Sequence, residues 1–119
     1  MYLFHILRRS EWAQARRTGE YRPPSLQAEG FIHLSTARQL PATADRCFAG
    51  VPALLVLRVS RDSLRAELRF DPVDGDAFPH LYGPLNLGAV IALAALPVPA
   101  SGGFQLPGEW QPPVAIDEP

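Results

Sequence analysis

Apolar residues fall in short blocks along this chain, cut apart by prolines, glycines and charges. The spacing within each block predicts the element it forms. Residues 2–7, "YLFHIL", are short, apolar and aromatic, as a buried strand is. Alternation puts Tyr2, Phe4 and Ile6 on one face and Leu3, His5 and Leu7 on the other. Ser10 then suits a helix N-cap, and Glu11 suits the positive end of the helix dipole. "EWAQARRTG" follows as that helix, with Gly19 as its stop. "YRPPSLQAEG" reads as a loop, because Pro23 and Pro24 forbid regular pairing.

"FIHLS", 31–35, predicts a second strand with Phe31, His33 and Ser35 on one face and Ile32 and Leu34 on the other. Thr36 and Gln39 have the spacing of a capping box. Pro41 suits the first turn of a helix that begins near Leu40, reaches about Phe48 and ends by Gly50. "ALLVLRV", 53–59, is almost continuously apolar and predicts a central strand. "SRDSL" is a polar turn, and "ELRFD", 67–71, alternates like a more exposed strand. "FPHLYGPL" carries two prolines, so it is not expected to run as a central ladder strand along its length. "AVIALAAL", 89–96, is the last apolar strand. The expected fold class is α+β: two helices on a small mixed or mostly antiparallel sheet. Residues 1–97 form one domain in this reading, and 98–119 form a Pro/Gly-rich tail that lies on the surface or is disordered.

Length and charge narrow the function. A chain of 119 residues is expected to be one domain. A net charge of −1 without a basic stripe leaves no electrostatic footprint for nucleic acid. All eleven basic residues are arginine. Arginine marks bidentate phosphate or carboxylate contacts, but most of these lie in polar, turn-rich stretches, where base composition is the plainer account. Cys47 is the sole cysteine, so neither an internal disulfide nor a cysteine zinc site is available, which suits a reducing cytoplasm. "MYLFHILRR" places its arginines after the apolar run, unlike a secretory signal, and no segment is long enough to span a bilayer. A soluble cytoplasmic domain is expected.

Candidate chemistry centres on three histidines, His5, His33 and His80, each flanked by apolar residues. Singly, each reads as a satisfied, half-buried imidazole; together they are compatible with one pocket. Their spacing has no ligand pattern, so no metal site is expected. In "FPHLYGPL", Pro79 extends Phe78, which lets Phe78, His80 and Tyr82 project together before the turn at Gly83–Pro84. Such a segment forms either a polar-tipped pocket wall or an edge whose aromatics close the core. Glu29 reads as a turn residue, and Glu67 and Asp71 as the solvated side of a strand. "DPVDGD" lacks the full calcium-loop pattern, and Ser35 lacks a nucleophile elbow.

The succession "WAQARRTGEY", "EGFIHLSTARQ", "LLVLRV", "LRFDP" and "FPHLYGPL" resembles the bacterial domain-of-unknown-function 952 family over roughly residues 2–96. The chain departs from that family's pattern at Asp71, where a glutamate is usual, and at Pro41, where a valine-like residue is usual. The family is distantly similar to the ADP-ribosyltransferase fold. That resemblance implies a small sheet split around a cleft that holds NAD, with a small-molecule ligand as partner. By it, His5 matches a ribose-contacting histidine on the first strand, and His33 and Ser35 match the second-strand position; Tyr82 joins them as a cofactor-binding residue. Asp71 or His80 stands near the third position, where a carboxylate stabilises the positive charge left on ribose as nicotinamide departs. Aspartate is one methylene short for that role, so binding can survive where transfer does not. The competing expectations are a non-catalytic small-molecule or partner-binding module and a structural domain with no ligand. Convergence of His5, His33, His80 and Tyr82 on one cleft separates the last from the others.

Overall fold

The computed structural model describes residues 2–99 and 103–110. The fold is α+β, and every strand pairing is antiparallel. The chain order is β1 (Tyr2–Arg8), α1 (Arg9–Thr18), β2 (Glu20–Tyr21), α2 (Pro24–Glu29), β3 (Ile32–His33), α3 (Leu40–Phe48), β4 (Leu54–Ser60), β5 (Glu67–Val73), β6 (Asp76–Tyr82), β7 (Leu85–Asn86) and β8 (Val90–Leu96). These strands form three small sheets, ordered β1-β4-β8, β2-β7 and β3-β6-β5. No helix among the described residues is long and apolar enough to cross a membrane.

β4 is the central strand its apolar run predicts, and its sheet is covered on both faces. Leu3, Leu7, Leu55, Leu57 and Val59 pack against Ile32, Leu81 and Leu85 from the other two sheets and against Leu34, just past β3. Phe4, Ile6, Leu54 and Val56 pack on the opposite face against Leu40 and Ala44 of α3. Within the segment read as a tail, Phe104, Leu106 and Trp110 are buried in this second cluster. Asp45 of α3 anchors them by accepting the Phe104 N–H at 2.8 Å. Residues 100–102 and 111–119 lie outside the described residues.

Four local expectations are corrected. Helix α1 starts earlier than the Ser10 cap implies: Arg8 is its cap, and the Glu11 carboxylate reaches back to accept the Arg8 N–H at 2.8 Å. Residues 21–30 are not all loop. Pro24 opens α2, because a proline at N1 lacks only an N–H that has no helical partner there, and Gly30 ends it at φ 89°. Among the described residues the α-helices are therefore three, not two. The largest correction is β6, which is the middle strand of its sheet although it contains Pro79. The Pro79 carbonyl accepts the Leu34 N–H at 3.0 Å, so the edge that lacks a donor faces Leu34, just past the end of β3. Opposite Pro79 stands Phe70 in a non-hydrogen-bonded pair, so β5 loses no bond to it. Pro72 has the same parity as Phe70 and turns its missing donor outward from an edge strand. Thr36 and Gln39 make the two reciprocal bonds expected of them, Gln39 Oε1 accepting the Thr36 N–H at 3.0 Å and Thr36 Oγ1 the Gln39 N–H at 3.3 Å, but they close the turn before α3, whose cap is Gln39 and not Thr36.

Candidate functional site

Two sheets meet and then separate at one place. Phe4 and Ser35 exchange backbone bonds at 2.8 Å in both directions. Both polar groups of Phe4 thus face away from β4. Alternation turns the same edge of Ile6 outward, and no strand pairs with it among the described residues. Past this bridge a cleft of about 940 Å³ opens between β1, α2, β3 and α3. His5, His33, Ser35 and His80 line it, with Tyr21, Phe31 and Phe78 as aromatic walls. Arg8, Arg46, Glu11 and Glu29 supply charge along the lining.

Strand alternation predicts the grouping. His33 pairs directly with His80 across β3 and β6, which places both on the face opposite Ile32 and Leu81. Phe31 lies flat on the His80 ring, with centroids 4.0 Å apart and planes at 17°. The His33 ring meets His80 edge-on at 5.3 Å. Phe31 also contacts Tyr82, with centroids 5.3 Å apart.

Each histidine has a distinct set of partners. His5 Nδ1 lies 2.7 Å from the His33 carbonyl oxygen, which only accepts, so the proton sits on Nδ1. Nε2 then accepts from the Tyr21 hydroxyl at 2.8 Å. Burial pushes the His5 pKa down to about 4, so the ring stays neutral near pH 7, and burial likewise raises that of Tyr21. His33 Nε2 pairs with Glu29 Oε2 at 2.9 Å, and both side chains are about half exposed. His80 Nδ1 lies 2.8 Å from Asp71 Oδ2, and the Tyr82 hydroxyl donates to the same oxygen at 2.5 Å. These two donors, Tyr82 first, hold the Asp71 carboxyl below its ordinary range, and the shared bond raises the Tyr82 pKa. Arg69, paired with Glu67 at 2.7 Å, stands 4.7 Å from the centre of the Tyr82 ring.

Of the six residues singled out from the sequence, His5, His33, Ser35 and His80 reach the cleft. Asp71 and Tyr82 stand behind His80, bonded to it or to its partner, and outside the cleft lining. Glu29, expected only to shape a turn, lies at the end of α2 and faces His33 four residues on. The i, i+4 spacing was the available signal. Tyr21 and Ile6 gave none, because their roles depend on which strand leaves an edge open. Among the described residues no three His, Cys, Asp or Glu side chains converge as metal ligands.

Three helices and three small antiparallel sheets among the described residues make an α+β fold with a histidine-lined cleft. The chain belongs to the DUF952 family, described as proteins of unknown function, whose model matches residues 6–93. It is similar to protein CC0527 from Caulobacter crescentus, whose crystal structure is 36% identical with a TM-score of 0.82, covering 89% of this chain and 95% of that one. A double-mutant crystal form of CC0527 gives 35%, 0.81, 89% and 95% for the same four measures. Its solution NMR structure gives 37%, 0.76, 88% and 92%. No curated protein matches the chain.

Proposed function

We propose that the cleft binds a nucleotide of the NAD or ADP-ribose class, in an arrangement like that of ADP-ribosyltransferases. The observation that carries this reading is the meeting of His5, His33, Ser35 and His80 from three separate strands and a bridge at one opening. Further features support it. Arg8 and Arg46 suit a diphosphate, and Phe31, Tyr21 and Phe78 offer faces to flat rings. The open backbone edge of Ile6 presents one donor and one acceptor, the complement of a primary carboxamide such as that of nicotinamide. Binding without chemistry is the second reading, and one observation favours it. Each nearby carboxylate is already engaged: Glu29 by His33, Glu11 by the Arg8 N–H, Asp71 by His80 and Tyr82. A reducing cytoplasm suits a protein whose Cys47 is free and exposed.

Thermal melting and calorimetry with NAD, ADP-ribose and AMP test the reading. A ligand at a hundredfold excess over its Kd raises stability by about 2.7 kcal/mol. The expected result is a shift with NAD or ADP-ribose that His80→Ala abolishes. No shift with any of the three sinks the nucleotide reading.

A further inference from the structure

The Asp71–His80 pair has a direction that binding alone does not use. Nδ1 lies 2.8 Å from Asp71 Oδ2. An ionised carboxylate only accepts, so in the neutral ring Nδ1 carries the proton and Nε2 a lone pair. Tyr82 donates to the same oxygen and helps hold it in place. Phe31 stacked on one face and His33 edge-on fix the plane of the ring. Asp71 stands outside the cleft lining and His80 within it, so the Nε2 edge points away from the carboxylate. No hydrogen bond joins Nε2 to the described residues.

We propose that His80 is the general base of this cleft and Asp71 its positioning residue. The proposal rests on the NAD reading and adds a reaction to it. As the bond from ribose C1′ to nicotinamide breaks, nicotinamide leaves with the electron pair as a neutral base. A water oxygen bonds to C1′, and its proton passes to His80 Nε2. The products are ADP-ribose, nicotinamide and one proton, which Nε2 later releases to solvent. Asp71 touches no reacting atom; it keeps Nδ1 protonated and stabilises the imidazolium as it forms.

Two readouts on the full chain test this. Long-range proton–nitrogen correlation of the ¹⁵N-labelled protein at pH 8 reports which ring nitrogen of His80 is protonated. Nδ1 is expected in wild type, with a mixture of tautomers in Asp71→Asn. Nicotinamide release from NAD is expected in wild type. Asp71→Asn should lower kcat about a hundredfold or more with KM little changed, His80→Gln should lower kcat at least as far, and Asp71→Glu should recover part of the Asp71→Asn loss. All variants should keep the wild-type circular dichroism spectrum. An Nε2-protonated His80, or a tautomer that Asp71→Asn leaves unchanged, overturns the assignment whatever NAD does. NAD that binds but releases no nicotinamide overturns the general base and leaves the binding reading standing. NAD that does not bind overturns both.

Discussion

Phe4 and Ser35 hold two sheets together by a single pair of backbone bonds, each 2.8 Å long, and both residues line the cleft that opens beside them. The bridge lies at the root of the site, since it fixes how far β1 and β3 stand apart. Replacing Ser35 by proline removes one of the two donors and leaves the Phe4 carbonyl unpaired. An unpaired buried group costs about 1–3 kcal/mol. Urea unfolding of Ser35→Pro should show at least that loss, together with weaker NAD binding. Ser35→Ala keeps both backbone bonds and should fall within about 1 kcal/mol of wild type. Equal losses in the two variants would mean that the side chain, not the bridge, matters to the fold.

His5 should make stability depend on pH in a window of its own. Its folded pKa of about 4 lies below the ordinary value of 6.5. Between these values the unfolded chain binds more protons than the folded one, so stability rises with pH across the window. The effect is bounded at about 3 kcal/mol, because each tenfold change in proton affinity is worth about 1.4 kcal/mol. The lowered carboxyls Glu67, Asp71 and Asp76 act in the same sense, but at more acid pH. Unfolding free energies at pH 4.5 and 7 should therefore differ in wild type and differ much less in His5→Gln. An unchanged slope in that variant would place the proton uptake elsewhere.

The C-terminal segment should behave as part of the core. Phe104 is 3% exposed and packs with Phe4, Leu40 and Val56. Truncating a buried phenylalanine costs about 3–5 kcal/mol, so Phe104→Ala should lower the midpoint of denaturation sharply. Asp45→Ala should cost about 1–3 kcal/mol through the lost acceptor for the Phe104 N–H. Wild-type stability in a chain ended at residue 97 would show that the segment contributes nothing.

Gly83 should not tolerate a side chain. A Cβ at this position would stand 2.7 Å from the Ala66 Cβ, closer than two carbons pack. Overpacking of this kind costs about 1–3 kcal/mol. Gly83→Ala should be destabilised by that amount in a melting experiment, and the double variant Ala66→Gly, Gly83→Ala should recover part of it. No recovery would trace the cost to the backbone at Gly83 instead of the contact.

The sequence by itself determined the local elements. Alternation in "YLFHIL" put His5 opposite Phe4, and the apolar run 53–59 made β4 central. The Thr36–Gln39 spacing placed the turn into α3. Side-chain period and capping are properties of neighbours along the chain, so they can be read there. Only the tertiary structure decided the rest. Pro79 sits in a middle strand because Leu34 meets its carbonyl and Phe70 asks for no hydrogen bond, and neither fact is local. Asp71 meets His80 because a hairpin sets β5 against β6 in one register; a slip of one residue would turn the carboxylate to the other face. The cleft itself exists because β4 takes one edge of β1 and Ser35 takes only the first part of the other. Which edge of a strand stays open depends on distant segments competing to bury their apolar faces, and no window along the chain contains that competition.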